Sequence, residues 1–208
     1  EEIHVDYPRH YYKVRTAPSI AQGILDEVSG NVKLVLMGWP GDLPPSELAS
    51  HPVKQVLQHA PAHVGVLLDR GFHGVQRILV PVGGGFHSRL AIRLAYEIGL
   101  KHNAQITALR VIREECDAEQ LEDYMIQLRE AIEDSLGQVP PQFTTRLVRA
   151  DDVLAGVVAE TRRLRYDLVV VGASDAWLSR TRLFGALTDE LAEKIDCSVL
   201  LVRRHESA

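Results

Sequence analysis

Residues 148–172 read VRADDVLAGVVAETRRLRYDLVVVG, and this stretch decides the fold. Asp151 or Asp152 can cap a helix at its start. The apolar stripe of that helix is formed by Leu154, Val157 and Val158. The run Leu168–Val171 that follows is apolar on both faces, which is typical of a buried parallel strand. The stretch therefore predicts a helix that leads into a strand inside an α/β fold.

An earlier stretch of the chain repeats this pattern. Residues 14–38 read VRTAPSIAQGILDEVSGNVKLVLMG and align with residues 148–172 without a gap. The identical pairs are Val14/Val148, Arg15/Arg149, Ala21/Ala155, Leu34/Leu168, Val35/Val169 and Gly38/Gly172. After a shift of one residue, Ala62–Leu67 also matches Cys197–Val202. The shared register favours a duplicated unit, with chance similarity between two α/β stretches as the alternative.

Apolar runs and helical stripes alternate along the rest of the chain. The other β-like runs are Val32–Met37, Val64–Leu68, Ile78–Val82 and Val199–Val202. Helical stripes fall in Ser88–His102, Ala118–Leu136 and Thr188–Ile195. Strands that alternate with helices predict a parallel sheet with right-handed crossovers. We therefore expect an open, parallel, five-stranded sheet with helices on both faces.

The repeat predicts two units of unequal length. Residues 76–204 contain every strand and helix of a complete unit, and residues 71–75 form a linker. Residues 1–70 contain the last three strands and two helices of a partial unit. Its first two strands are absent, unless Ile3–Val5 is a remnant of one of them. Because a partial sheet exposes an edge, we expect upstream residues or a partner to complete it. The closing strands Val64–Leu68 and Val199–Val202 are expected to pair with each other.

Composition limits the classes of function. The 208 residues are 46% apolar and 25% charged, as in an ordinary globular protein. A net charge of −5 without a dense basic run, and an aromatic content of 6%, argue against a nucleic-acid partner. The two cysteines, Cys116 and Cys197, lie far apart and indicate a reducing compartment. No apolar run approaches the roughly 18 residues of a membrane helix, so we expect a cytoplasmic location.

The complete unit resembles the universal stress protein family over its whole length. Arg77–Val82 (RILVPV) is similar to the first strand of that family, and Leu168–Ser174 (LVVVGAS) to its fourth strand and the loop after it. Cys197–Val202 (CSVLLV) is similar to the closing strand. The resemblance implies the strand order 3-2-1-4-5 and a site for ATP or AMP, with no metal other than nucleotide-bound Mg²⁺.

The glycine motif of the nucleotide-binding members is only partly kept. Those members carry Gly, two residues, Gly, nine residues, and then Gly followed by Ser or Thr. Here Gly172 and Gly185 keep their places, Asp175 replaces the middle glycine, and Ala186 replaces the Ser or Thr. After the first strand, Gly83 replaces an Asp of the ATP-binding members. The partial unit keeps Gly38-x-x-Gly41 but has no later glycine at the required distance, so its site looks lost.

The candidate nucleotide site lies where strand order reverses, since ligands of open α/β sheets bind there. Its loops follow the first and fourth strands of the complete unit. The candidate residues are Val82, Gly83, Gly84, Gly172, Ser174, Asp175, Arg182, Gly185, Ala186 and Thr188. Asp175 would repel phosphate, and Arg180 and Arg182 would offset that repulsion. The alternative is that these glycines only shape turns and helix–sheet packing.

The context of the domain is a separate question. A glycine-rich loop at Gly83–Gly85 together with Gly38-Trp-Pro-Gly41 is similar to soluble tails of prokaryotic amino-acid permeases and cation–chloride cotransporter-like carriers. The resemblance implies a regulatory module attached to a transporter membrane domain, and the alternative is a free-standing ATP-binding stress protein. We do not expect an enzyme, because the loops offer no evident base or nucleophile. His59 and His63 have zinc-ligand spacing, but Pro61 interrupts that helix, so no metal site is expected.

Overall fold

The computed structural model describes residues 12–28, 31–41, 44–71, 73–173 and 182–205. Its helices, in chain order, are α1 Ile20–Glu27, α2 Pro45–Leu48, α3 Pro52–His59, α4 Phe86–His102, α5 Ala118–Leu136, α6 Val153–Arg163 and α7 Ala186–Lys194. Its strands are β1 Leu34–Gly38, β2 His63–Leu68, β3 Arg77–Pro81, β4 Gln105–Ile112, β5 Phe143–Arg149, β6 Leu168–Gly172 and β7 Ser198–Arg203. The predicted remnant Ile3–Val5 and the candidate residues Ser174 and Asp175 lie outside the described residues.

All seven strands join one sheet, in the order β1-β2-β7-β6-β3-β4-β5. The five strands β3 to β7 have the predicted order, but the expectation of a five-stranded sheet is wrong. The sheet is larger because β2 pairs with β7, which would otherwise be an open edge. This pair is antiparallel, whereas every other pair of neighbours is parallel. The carboxyl ends of β1 and β2 therefore lie at the opposite end of the sheet from those of the other five strands.

The part of the chain before the linker has two described strands rather than the predicted three. Residues 12–17, which align with the end of β5, form neither helix nor strand. In the complete unit β5 pairs with β4, and the described residues before the linker contain no counterpart of β4. Among the described residues a third strand would therefore have no ladder to join. Residues 12–17 lead into α1 without regular secondary structure.

Helices cover both faces of the sheet, as predicted. One apolar cluster joins α1, α3, α6 and α7 to Val64, Val199 and Leu201. The other joins α4 and α5 to Val80, Leu200 and Val202. Successive residues of β7 thus enter opposite clusters, which is the two-residue period of a strand buried on both faces. Burying each such side chain contributes roughly 1.5–3 kcal/mol, so β7 is a central strand of the core.

Strand β1 has one covered and one open face. Val35 and Met37 pack against the cluster that contains α1 and α3. Leu34 and Leu36 point to the other face, and Leu36 is 58% exposed. Its aligned counterpart in β6, Val170, is 0% exposed, because α4 packs over β6. The open face of β1 is thus an apolar surface on a sheet edge.

A buried arginine of β7 stabilises the contact between the complete unit and the segment before the linker. Arg203 of β7 donates from Nη2 to the carbonyl oxygens of Ala60 and Ala62, at 2.9 Å each. Burial lowers the pKa of this guanidinium. The two hydrogen bonds stabilise the turn between α3 and β2, so β7 holds the earlier segment by side chains as well as by its backbone.

Among the ranges given above, every helix is too short or too polar to cross a membrane.

Candidate functional site

The candidate site lies at the carboxyl ends of β3 and β6. These two strands are neighbours in the sheet, and the chain leaves β3 to form β4 on its other side. This is the point where strand order reverses, the usual place for ligands in open α/β sheets. A cavity of about 240 Å³ opens here. Its described lining comprises Pro81, Gly83, Gly85, Ser88, Val153, Val171, Gly172, Ala173, Leu187, Thr188 and Leu191.

Gly172 is required by packing. A Cβ at this position would lie 2.7 Å from the carbonyl carbon of His87 and 2.8 Å from the amide nitrogen of Ser88. Both atoms belong to the backbone at the start of α4, so a side chain would force the helix away from the sheet. The glycine brings the first turn of α4 next to the end of β6, and this approach forms one wall of the cavity.

The other glycines of these loops fall into two groups. Gly84 and Gly185 have φ values of +81° and +110°, which favour glycine over other residues. Gly83 and Gly85 have no such requirement, and a Cβ on either would meet nothing within 4 Å. Both line the cavity. Glycine at these two positions therefore keeps the cavity open, and neither backbone strain nor close contacts require it there.

The first turn of α7 faces the cavity without a cap. Gly185 precedes the helix and supplies no side-chain hydrogen bond. The N–H groups of Ala186, Leu187 and Thr188 have no partner within the helix. Such groups, together with the helix dipole, favour an anion.

Thr188 adds a hydroxyl to this turn. Its side chain is 2% exposed and lines the cavity. No hydrogen bond joins the hydroxyl to another residue in the described ranges. Because the residue lines the cavity, its hydroxyl has the position and the hydrogen-bonding capacity expected of a ligand contact.

The chain in front of α7 is fixed by Asp189. Its two carboxylate oxygens accept hydrogen bonds from the N–H groups of Leu183, at 2.7 Å, and Phe184, at 2.9 Å. Burial raises the pKa of this carboxyl, against the opposing effect of these two hydrogen bonds. Because both oxygens face the backbone, the carboxylate does not enter the described lining of the cavity.

The sequence model of the universal stress protein family matches residues 74–203, which is more than half of the chain. The chain belongs to the universal stress protein family. A search of curated proteins found no match.

Solved structures support the universal stress protein fold. A universal stress protein in complex with cAMP is 22% identical, with a TM-score of 0.51 over 62% of this chain and 97% of its own. A universal stress protein from Archaeoglobus fulgidus is 15% identical, with a TM-score of 0.63 over 89% of this chain and 66% of its own. A protein of unknown function from Pseudomonas aeruginosa is 18% identical, with a TM-score of 0.55 over 91% and 69%. This chain thus spans about two thirds of the length of the last two proteins.

The structure brings together only some of the predicted site residues of this universal stress protein. Gly83, Gly172 and Thr188 line the same cavity, and Gly185 and Ala186 begin the helix that supplies Thr188. Gly84 lies beside the cavity. Ser174 and Asp175, with Arg180, lie outside the described residues.

Two predicted contacts are placed elsewhere. Val82 is buried in the cluster that contains α4, and its N–H donates to the carbonyl of Leu109. Arg182 reaches Glu190 at 3.9 Å on the surface. Val82 is therefore a core residue, because the strand ladder continues for one residue beyond β3.

Sequence reasoning missed a larger cavity of about 670 Å³ beside the site. It opens beyond the ends of β4 and β5, where Arg110 lies over the ring of Tyr124, 4.9 Å from its centroid. Val153 lines both cavities. In the sequence, only Arg110 could have indicated this cavity, because it is a cation within the otherwise apolar end of β4. The contribution of Tyr124 could not be predicted, because it lies on α5 and meets Arg110 only in the folded chain.

The ranges that the structure covers contain no group of three or more histidine, cysteine or acidic side chains that could hold a metal ion.

Proposed function

We propose that this universal stress protein is a regulatory module that binds an adenine nucleotide, ATP or AMP, at the carboxyl ends of β3 and β6. The observation that carries the proposal is the uncapped first turn of α7, which meets the buried Thr188 hydroxyl in a glycine-walled cavity. A family relative that binds cAMP supports the class of ligand.

The two cavities suggest where the phosphate and the nucleoside of the ligand would each bind. Phosphate would lie at α7, where three N–H groups and the helix dipole stabilise negative charge. The described lining of the smaller cavity contains no cationic side chain, so among the described residues dipoles would supply this stabilisation. The nucleoside would extend toward Arg110 and Tyr124 in the larger cavity. A flat guanidinium and an aromatic ring are groups on which a base can stack.

Binding without turnover is part of the proposal. The described lining of the smaller cavity offers two hydroxyls, Ser88 and Thr188, but no carboxylate, imidazole or thiol to act as a base. Ser88 Oγ already donates to the carbonyl of Gly85 at 2.6 Å. Prolonged incubation with ATP and Mg²⁺ should therefore leave the nucleotide intact, and release of ADP would contradict this part.

The test is calorimetric titration with ATP, ADP and AMP, with and without Mg²⁺. Thr188→Val keeps the shape of the side chain and removes the hydroxyl, so it should weaken ATP binding by about tenfold, as expected for a hydrogen bond to a charged group. Because the hydroxyl has no described protein partner, the variant should unfold at the same or a slightly higher temperature.

Thr188→Ser is the matched control, since it keeps the hydroxyl and should retain most of the affinity. Absence of heat and of thermal stabilisation at millimolar nucleotide would refute nucleotide binding. In that case the glycines would be explained by packing and turn geometry alone, and the module would act through protein contacts.

The attachment of this module to a membrane transporter, with a cytosolic location, is a further part of the proposal. It rests on the glycine-rich loop after β3 and on Gly38-Trp-Pro-Gly41 after β1. A free-standing stress protein fits the fold equally well. The gene sequence upstream of Glu1 distinguishes the two, because a transporter requires repeated apolar segments of about 20 residues there. A gene without such segments would refute the attachment to a transporter.

A further inference from the structure

Helix α7 is held at both ends by residues from before the linker. We propose that Lys54 of α3 is a positioning residue for the nucleotide site, because it fixes the backbone that sets the first turn of α7. This inference rests on the proposed function for its ligand, but the anchoring itself can be measured without any nucleotide.

Lys54 is an unusual residue for the core. Its side chain is 1% exposed, and its Nζ donates to the carbonyl oxygens of Arg182, at 2.6 Å, and Leu183, at 3.1 Å. Burying an ammonium group is costly unless hydrogen bonds and charge compensate for lost water. An apolar side chain of the same length would fill the space at lower cost. The charge is therefore explained by the backbone that it holds.

Lys54 and Asp189 hold the same three residues from two sides. Lys54 binds the carbonyls of Arg182 and Leu183, while Asp189 binds the N–H groups of Leu183 and Phe184. Four backbone groups in a row are thus fixed by two buried charged side chains. One of them comes from α7 itself and the other from α3, which is 128 residues earlier in the chain.

Gly185, the next residue, connects the anchored backbone to the first turn of α7. Gly185 has a φ of +110° and leads directly into the uncapped turn. Glycine has wide conformational freedom, so it would not by itself fix the direction of α7. The anchored residues 182–184 supply the missing restraint, and the positions of the Ala186 and Leu187 N–H groups follow from it.

Arg70 holds the other end of the helix. Its Nη2 donates to the carbonyl of Ala192, at 2.8 Å, in the last turn of α7, and its Nη1 donates to the carbonyl of Cys197, at 3.3 Å. A cation at a helix C-terminus also interacts favourably with the helix dipole. Since Arg70 lies two residues after the end of β2, both restraints on α7 depend on the docking of the earlier segment.

The experiment compares Lys54→Met with Lys33→Met, which removes an exposed lysine from the same segment. Hydrogen exchange is measured first, without nucleotide. Lys54→Met should raise the exchange rates of the Leu183 and Phe184 amides, which are bonded to Asp189, by about tenfold, because their backbone loses the hydrogen bonds to a charged group. Amides of β4 and β5 should not change. Unchanged exchange at Leu183 and Phe184 would overturn the anchoring.

Affinity is then measured for adenosine and for ATP. If Lys54 positions the phosphate-binding turn, Lys54→Met should lower the preference for ATP over adenosine by about tenfold, with adenosine affinity kept. An equal loss for both ligands would show a merely structural role and refute the positioning role. If the unaltered protein binds neither ligand, the proposed function fails and so does the positioning role, whereas hydrogen exchange still decides the anchoring.

Arg70→Leu keeps the proposal falsifiable if Lys54→Met does not fold. It removes only the restraint at the C-terminal end of α7, so exchange should rise at residues 190–196, and at Leu183 and Phe184 only to a smaller extent. Equal exchange at both ends, or no change at either, would contradict separate restraints.

Discussion

Strands β1 and β6 show how differently one sequence pattern can be used. The aligned stretches that contain them both form a helix followed by a strand, and the strand bounds, Leu34–Gly38 and Leu168–Gly172, coincide in the alignment. Strand β6 has β3 and β7 as neighbours and α4 on the face that Val170 enters. Strand β1 has only β2, and Leu36 is exposed. Local sequence thus determines the strand, whereas burial depends on elements that come from elsewhere in the chain.

Gly38 and Gly172, which end β1 and β6, differ in the same way as the strands. A Cβ at Gly172 would collide with the backbone of α4, whereas a Cβ at Gly38 would meet nothing within 4 Å. The same residue is therefore required in one place and replaceable in the other. The duplication of the unit stays a prediction, but these aligned pairs provide matched experiments.

The largest expected difference lies between Val170→Ser and Leu36→Ser. Val170→Ser removes buried apolar atoms and buries a hydroxyl, which should lower the free energy of unfolding by about 3–4 kcal/mol. Leu36→Ser should change it by less than about 0.5 kcal/mol. Chemical denaturation followed by circular dichroism measures both. A comparable loss for Leu36→Ser would mean that another molecule or segment covers β1 in solution.

Gly172→Ala and Gly38→Ala should differ by somewhat less. The first must displace the start of α4, and such overpacking costs about 1–3 kcal/mol. The second should be neutral or stabilise the fold by a few tenths of a kcal/mol, because alanine restricts the unfolded chain. Thermal unfolding of the two variants provides the measurement, and equal melting temperatures would show that α4 does not pack against β6 as closely as described.

Glu160 and its aligned counterpart Asp26 differ in burial. The Glu160 side chain is 1% exposed and accepts hydrogen bonds from Arg146, Arg163 and Tyr166, whereas Asp26 is exposed. Glu160→Gln should lower the free energy of unfolding at neutral pH by about 1–3 kcal/mol, and Asp26→Asn by less than about 0.5 kcal/mol.

The pH dependence follows from the pKa of Glu160. Burial raises this pKa, but the hydrogen bonds from Arg163 and Tyr166 and the charge of Arg146 outweigh burial, so the pKa is lowered in the fold. The stabilisation is then complete above the unfolded pKa, about 4.3, and is lost as pH falls through the lower folded pKa. The difference between the protein and Glu160→Gln should therefore shrink at acidic pH, and a difference independent of pH would contradict it.

The smallest effect concerns how often the earlier segment separates from the complete unit. Burial raises the pKa of the Cys197 thiol to about 11, and Arg70 binds the carbonyl of the same residue. Since the thiolate is the reactive form, iodoacetamide at pH 8 should modify Cys197 much more slowly than Cys116. Arg70→Leu should accelerate the reaction at Cys197 only, because more frequent opening of the segment outweighs the loss of the Arg70 charge, which lowers the pKa of this thiol. Equal rates at both thiols would show that the segment opens readily.

The sequence predicted most of the fold because strands and helices follow local patterns. The alternation in residues 148–172 and the apolar runs gave the strands of the complete unit and their order. The sequence also led to the expectation that Val64–Leu68 pairs with Val199–Val202, as the structure has it. The number of strands in the sheet was nevertheless wrong, because only the five strands of the complete unit were counted. The strand expected near Val14 failed for a different reason, since its partner is not among the described residues.

The site was predictable only in outline. Glycine spacing led to Gly172 and Gly185, and helix periodicity led to Thr188. Nothing local to Lys54 or Arg70 indicated contact with α7, because their partners lie more than a hundred residues away in the chain. A lysine inside a short amphipathic helix reads as a surface residue, and only the tertiary structure shows it to be buried.

The antiparallel contact of β2 with β7 has a consequence for synthesis. The hydrogen bond from the Arg70 N–H to Ser198 Oγ joins positions 128 residues apart. At about 5–20 residues per second, β2 is synthesised roughly 6 to 26 seconds before its partner strand. During this interval the edge of β2 that pairs with β7 is open, and an open strand edge favours association with other chains. The segment that anchors α7 is thus made before the strand on which it docks.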